Sequence, residues 1–356
     1  MAQSLNGSMI QLENGSIAML MLIRIMCVFL LVLAACEKPL RLPYILPELH
    51  NWPKPYKGVA GMRLHIFTTG KIEFPAKGVY RDSSVRGKRA LDILVFAIEH
   101  PRHGVILFGT GLNHAIASDS APYLKGWLAT LGKPTMAKEQ EITAQLQKAK
   151  LAPEKVRHVI LPDLRFDHTG EVESFATAQV IVSAAEHLAA IGPDADRFSL
   201  SEEYDQVRTW QFVNFTDAAP LGTFQAHRDL FGDGSILLLD VTGATAGGLA
   251  VLVRLPTGPV LLCGNLAWTK EQYLYARFPG VLFDRKAWWE KVWRLKKFKD
   301  LVPELAVLPD HEWATVEAAK TKDIVLHPFV SDKEKGGGKA DEEKKAAKKK
   351  PPPTPD

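Results

Sequence analysis

Three apolar runs crowd into residues 234–265: GSILLLDV, GLAVLVRL and GPVLLCGN. Only Pro256-Thr257-Gly258 parts the second from the third, and each run has the length of a strand rather than a helix. An earlier group, MRLHIFTTG, LDILVFAIE, GVILFGTG, VRHVILPDL and AQVIVS, reads as a second strand-rich half bounded by glycines and charged turns. Helical spacing appears in KEQEITAQLQKAK, where Ile142, Leu146 and Ala149 share a face, and in AAEHLAAIG, which Gly192 stops. A third helix, RKAWWEKVWRLKKFKDLV, carries Trp288, Trp289 and Trp293 on its core side. Its lysines Lys291, Lys296, Lys297 and Lys299 are expected on a solvated face. Two strand-rich halves with flanking helices predict an α+β domain over 57–330, with sheets face to face and helices outside.

The ends of the chain are of a different kind. From Met21, MLIRIMCVFLLVLAACEKPL has a short positive start at Arg24, an apolar stretch and a small-residue ending, the layout of an export signal. Its Leu33-Ala34-Ala35-Cys36 close resembles a bacterial lipobox, which implies a removed segment 1–35, lipidation at Cys36 and a protein held on the membrane of the cell envelope, facing the periplasm. Residues 36–56 include five prolines and suit an extended tether. The tail 331–356 has too few apolar residues to offset its ordering entropy. Cys263 is left as the one cysteine of the body, inert in an apolar strand pattern. A net charge of +4 over 356 residues gives no field for nucleic acid.

The segment VILPDLRFDHTGEV, residues 159–172, ends an apolar run in alternating polar side chains, as strands do where they hand ligands to a metal. With HGVILFGTGLN, LFGDGSILLLDVTGATAGGLAVLVRL, GPVLLCGNLAW and LAVLPDHEW in order, the chain resembles the metallo-β-lactamase superfamily and its branch of N-acyl-homoserine lactonases. That resemblance implies an αββα four-layer sandwich of two mixed sheets, and a two-metal hydrolytic site on a His-x-His-x-Asp-His motif plus later ligands. The motif falls on Asp163, Arg165, Asp167 and His168. A later histidine falls on Ala244, the bridging aspartate on Asn265 and the last histidine on His311, while an outer aspartate falls on Gly109.

Two metals are therefore not expected. Arg165 has no lone pair and Ala244 no donor atom. The second position keeps Asp167, His168 and His311, with Asn265 offering at most a neutral carbonyl, a set suited to one divalent ion, zinc first. At ~5 Å and an effective dielectric of ~20, Arg165 and a dication repel by roughly 6–7 kcal/mol. Asp163 returns about half of that, and the remainder weakens binding by about two decades. The simpler expectation is a metal-free site in which the Arg165 fork takes Asp163 and Asp167. The chain then reads as a pseudoenzyme that binds a small molecule or a protein in the former cleft. The alternative is a one-metal hydrolase of lactones or esters, with Asp167 and His168 in the catalytic role. His100, His103 and His114 are expected to be solvated, and Tyr204 to pack. The triple variant D163H/R165H/A244H is expected to gain at least one equivalent of zinc by elemental analysis; no gain would mean that more than ligands has changed.

Overall fold

The computed structural model describes residues 40–330, apart from 47, 85, 119–122, 127 and 193–196. The segment read as an export signal, Cys36 and the tail 331–356 lie outside the described residues. Among the described residues, no helix is long and apolar enough to cross a membrane.

The first sheet has eight strands. β1 (Arg63–Pro75) and β2 (Lys88–His100) are long antiparallel partners, with Leu64 opposite Ile98. They are followed by β3 (Gly104–Phe108), the short β4 (Lys133–Thr135), β5 (Val156–Ile160), β6 (Gln179–Ser183) and β7 (Trp210–Val213). The sheet runs β13-β1-β2-β3-β5-β6-β7, with β4 on β1 and β13 (Ile324–His327) closing one edge in parallel. The second sheet runs β12-β11-β10-β9-β8. Its strands are β8 (His227–Asp229), β9 (Ile236–Asp240), β10 (Leu249–Leu255), β11 (Gly258–Leu262) and β12 (Ala306–Leu308). Both sheets mix parallel and antiparallel pairs.

Alternation along single strands builds the layers. On β2, Leu94, Phe96 and Ile98 enter the core between the sheets, while Val95 and Ala97 meet Ile142 and Leu146 of the helix Ile142–Lys148. On β10, Leu249, Val251 and Val253 face the same core, while Ala250 and Leu252 meet Trp288, Val292 and Leu295 of the helix Arg285–Leu301. That helix starts where Asp284 accepts from the backbone N–H of Lys286 (2.8 Å) and Ala287 (3.0 Å), satisfying donors its first turn leaves orphaned. Helix, sheet, sheet and helix make the expected four-layer sandwich.

Three expectations need correction. Lys291 is not on the solvated face: it is buried and its Nζ lies 2.6 Å from Asp240 Oδ2, because the core-facing stripe of the helix passes over the end of β9. The stretch before 57 is not all tether. His50 pairs its backbone with Gly222, and the Trp52 ring meets Phe298 edge-on at 5.0 Å, so apolar surface draws this segment onto the helix. His100 is buried rather than solvated, since it caps the β2–β3 turn by accepting from the N–H of Arg102 and His103. His114 does reach solvent, although its ring meets the buried Glu171 at 2.7 Å. Tyr204 packs as expected, its hydroxyl 2.7 Å from Ser199 Oγ.

Burial pushes the Asp240 carboxyl up, but Lys291 and the Thr242 hydrogen bonds outweigh it and hold its pKa below the ordinary value. A carboxyl depressed by folding stabilises above its unfolded value, and that contribution disappears as pH falls through the folded one. Lys291→Met is therefore expected to cost about 2 kcal/mol in urea unfolding at pH 7, less than for a fully buried pair because the Asp240 side chain is 24% exposed. The gap between variant and wild type should narrow below about pH 4.

Candidate metal centre

The loops at the ends of β5, β9, β11 and β12 meet over one edge of the sandwich. After β5 the chain places Asp163 and Arg165, then turns into the single-turn helix Phe166–Thr169, which presents Asp167 and His168. Ala244 follows β9, Asn265 follows β11, and Asp310 and His311 follow β12. Gly264 has φ +52°, and a Cβ there would lie 2.5 Å from the Leu249 carbonyl, so only glycine lets the chain turn that tightly into Asn265. All seven residues expected at the site come together. Asp163, Arg165, His168, Ala244, Asn265 and His311 are buried.

His311 is held in one tautomer. Its Nδ1 lies 3.0 Å from the Asp92 carbonyl, which can only accept. Nδ1 therefore carries the hydrogen, and Nε2 presents a lone pair 3.4 Å from Asp167 Oδ2. Burial pushes the His311 pKa down to about 4, so at neutral pH the ring does not place a proton between these two acceptors. Two lone pairs facing each other at that distance are placed so that a cation could bridge them. His168 Nε2 lies 3.9 Å from Asp167 Oδ2 and 3.4 Å from Asp310 Oδ2. Burial opposes charge on His168, but Asp163, Asp167 and Asp310 outweigh it and raise its pKa. Asp167 goes the other way: burial raises its pKa, but His168, His311 and Arg165 lower it further.

Asn265 is a donor toward the cluster, not a ligand. The Trp268 indole N–H donates to Asn265 Oδ1, and because an indole can only donate, the amide orientation follows. Its Nδ2 then faces Asp163 Oδ2, to which it donates at 2.5 Å, and His168 Nε2 at 3.2 Å. The neutral carbonyl expected for a metal is thus turned away.

The Arg165 fork also differs from expectation. Nη2 donates to the Ala244 carbonyl at 3.0 Å, and the guanidinium lies over the Phe198 ring at 5.2 Å. Asp163 instead accepts from the Arg165 backbone N–H at 3.1 Å. Among the described residues, no ion pair closes the fork onto Asp163 or Asp167. Arg165 and Phe198 together wall off two cavities, one of about 30 Å³ beside Asp167, His311 and Trp268, the other of about 240 Å³ toward Glu186 and Phe283.

Two buried acids escaped the sequence reading. Asp310 Oδ2 is buried without a hydrogen-bond partner, and burial pushes its pKa up to about 7. Glu186 accepts from the N–H of Gly247 at 2.8 Å and Leu164 at 3.3 Å, tying two site loops together. Burial and the Asp163 charge push Glu186 up to about 7. Nothing in the local pattern of LPDHEW or AAEHLAAIG marks either acid. Gly109 does fall where the outer aspartate was expected: a Cβ there would lie 3.5 Å from His168 Nδ1.

The side chains present do not fit two cations, because those of Arg165 and Ala244 supply no lone pair at the first position. They fit one. The ligand atoms of Asp167, His168 and His311 all lie within 4.8 Å of one another, near the roughly 3.3–3.6 Å spacing of ligands around tetrahedral zinc. His100, His103 and Asp233 make a second group as tight, but His100 Nδ1 accepts two backbone N–H bonds, which puts the hydrogen on Nε2 and removes the lone pair a metal needs.

The metallo-beta-lactamase superfamily profile matches residues 89–311, and the chain belongs to that superfamily. It is 27% identical over 226 residues to an N-acyl homoserine lactonase AttM of Rhizobium radiobacter, covering 62% of this chain and 82% of the relative. An N-acyl homoserine lactonase of a Bacillus species is 25% identical over 222 residues, covering 61% and 80%. An N-acyl homoserine lactone hydrolase, solved with N-hexanoyl-L-homoserine at its catalytic metal centre, superposes with a TM-score of 0.61 at 18% identity, over 73% of this chain and 97% of its own.

Asn265→Asp is expected to crowd a further carboxylate against Asp163, at a cost of about 2 kcal/mol in urea unfolding without metal. Added zinc should recover more stability in the variant than in wild type, and equal recovery would show that position 265 does not face the cation.

Proposed function

We propose that this chain is a lactonase-like protein in which the two-metal hydrolytic centre has given way to a binding site, so that it captures a ligand in the former cleft instead of opening lactones at a dinuclear centre. The observation that supports this reading is the Arg165 side chain, which runs from one of the ligand places expected for the first metal to another and bonds the Ala244 carbonyl. A fixed positive charge there opposes a second cation; the cavity beside His311, about 30 Å³, holds little more than a water, so the ligand takes the cavity of about 240 Å³ on the Glu186 and Phe283 side of Arg165 and Phe198. An export signal ending at Cys36 supports a lipid-anchored position in the bacterial envelope.

A second reading is favoured by the His311 lone pair facing Asp167. In it, Asp167, His168 and His311 hold one divalent ion, and the protein is a slow one-metal hydrolase of lactones or esters. Such an ion would supply Lewis acidity and lower the pKa of a bound water. The chain's own part is to fix the His311 tautomer through Asp92, to keep Asp167 ionised, and to exclude bulk water with Phe166, Phe198 and Trp268.

Elemental analysis followed by lactone and ester hydrolysis, with and without chelator, separates the two. The binding reading expects no chelator-sensitive turnover above His311→Ala. Turnover abolished both by chelator and by that substitution would overturn it in favour of the hydrolase.

A further inference from the structure

A second chemistry-bearing cluster lies at the β13 edge of the eight-stranded sheet, under the helix Ile142–Lys148. His65 on β1 has Nε2 3.2 Å from Glu99 Oε2 and Nδ1 3.0 Å from His327 Nε2. The hydrogens on this relay follow from elimination. The Glu99 carboxylate only accepts, so His65 Nε2 carries a hydrogen. With that ring neutral, His65 Nδ1 must accept, so His327 Nε2 carries the next hydrogen. His327 Nδ1 is then a bare lone pair. Burial lowers the pKa of both rings, that of His327 to about 4, which keeps the relay neutral at physiological pH.

The partly exposed His327 ring lines a cavity of about 360 Å³ with Phe67, Gln145, Lys148 and Phe329, within the range of small-molecule sites. One face of the imidazole lies flat on Phe67, centroids 4.4 Å apart and planes 6° from parallel. That contact sets the ring's orientation as the relay sets its tautomer. Lys148 Nζ stands over the Phe329 ring at 5.9 Å. It also pairs with Glu139 at 2.8 Å, but both side chains are more than half exposed, so that pair is cheaply exchanged for another anion. The wall thus offers an imidazole with an unprotonated nitrogen, a cation and aromatic surface.

We propose that this cavity is a binding site for a small hydroxylated aromatic carboxylate, with the hydroxyl donating to His327 Nδ1, the carboxylate drawn to Lys148 and the ring beside His327 and Phe329. Glu99 and His65 are positioning residues that act through His327. The site stands apart from the strand-end cluster and does not depend on whether that cluster holds a metal.

The full chain, titrated with 4-hydroxybenzoate and separately with benzoate, tests this. Histidine nitrogen NMR of the wild type without ligand should show His327 Nδ1 unprotonated and His65 protonated at Nε2; the reverse tautomers would overturn the proposal without any variant. 4-Hydroxybenzoate should bind saturably and about tenfold more tightly than benzoate, the worth of one hydrogen bond. His327→Phe should erase that difference while keeping the stack on Phe67, and Lys148→Met should weaken both ligands alike. His65→Leu should reduce the preference for 4-hydroxybenzoate and leave benzoate unchanged, which mere loosening of the fold would not do. Equal binding of the two acids to wild type, or no saturable binding of either, would overturn the assignment.

Discussion

A buried guanidinium cannot give up its charge, so everything around it must answer to it. Arg165 sits 4% exposed at the end of β5, and it finds the Ala244 carbonyl and the Phe198 ring rather than the neighbouring aspartates. That choice leaves Asp163 to Asn265, Asn265 to Trp268, and Asp167 to the two histidines. The loops after β5, β9 and β11 are thus joined by polar bonds of the protein itself.

The same wiring divides the site into two unequal halves. Both oxygens of Asp163 accept hydrogen bonds from within the chain, and an ion would have to displace one. Around His311, Asp92 has fixed a lone pair that faces a carboxylate, and Asp310 Oδ2 is buried with no hydrogen bond, 3.4 Å from His168 Nε2. The first half resembles a closed network, and the second gathers ligand atoms that a cation could bridge. This asymmetry explains why one strand-end cluster supports both a binding reading and a one-metal reading, and why only the first position argues strongly against chemistry of the two-metal kind.

Much of this was legible in the residues. The strand pairs 249–255 and 258–262, the tryptophan stripe of the helix Arg285–Leu301 and the convergence of residues 163, 165, 167, 168, 244, 265 and 311 all follow the sequence pattern and the family resemblance. What escaped had a common cause. Lys291, His100, Asp310 and Glu186 are polar residues whose burial depends on partners 51 or more positions away or on a turn closing around them. Local periodicity treats such residues as solvated because it cannot see Asp240 or the β9–β10 loop approach.

By itself the sequence determined the chemistry available: no lone pair at 165, no donor at 244, three good ligands remaining, and alternating apolar strands that can only be satisfied by stacked sheets. Tertiary structure decided how that chemistry is aimed. Which way the Asn265 amide points, which nitrogen of His311 carries its hydrogen, and where the Arg165 fork ends are set by Trp268, Asp92 and Ala244. Hydrogen-bond direction depends on the partner across the gap, and those partners meet only once the two sheets have packed.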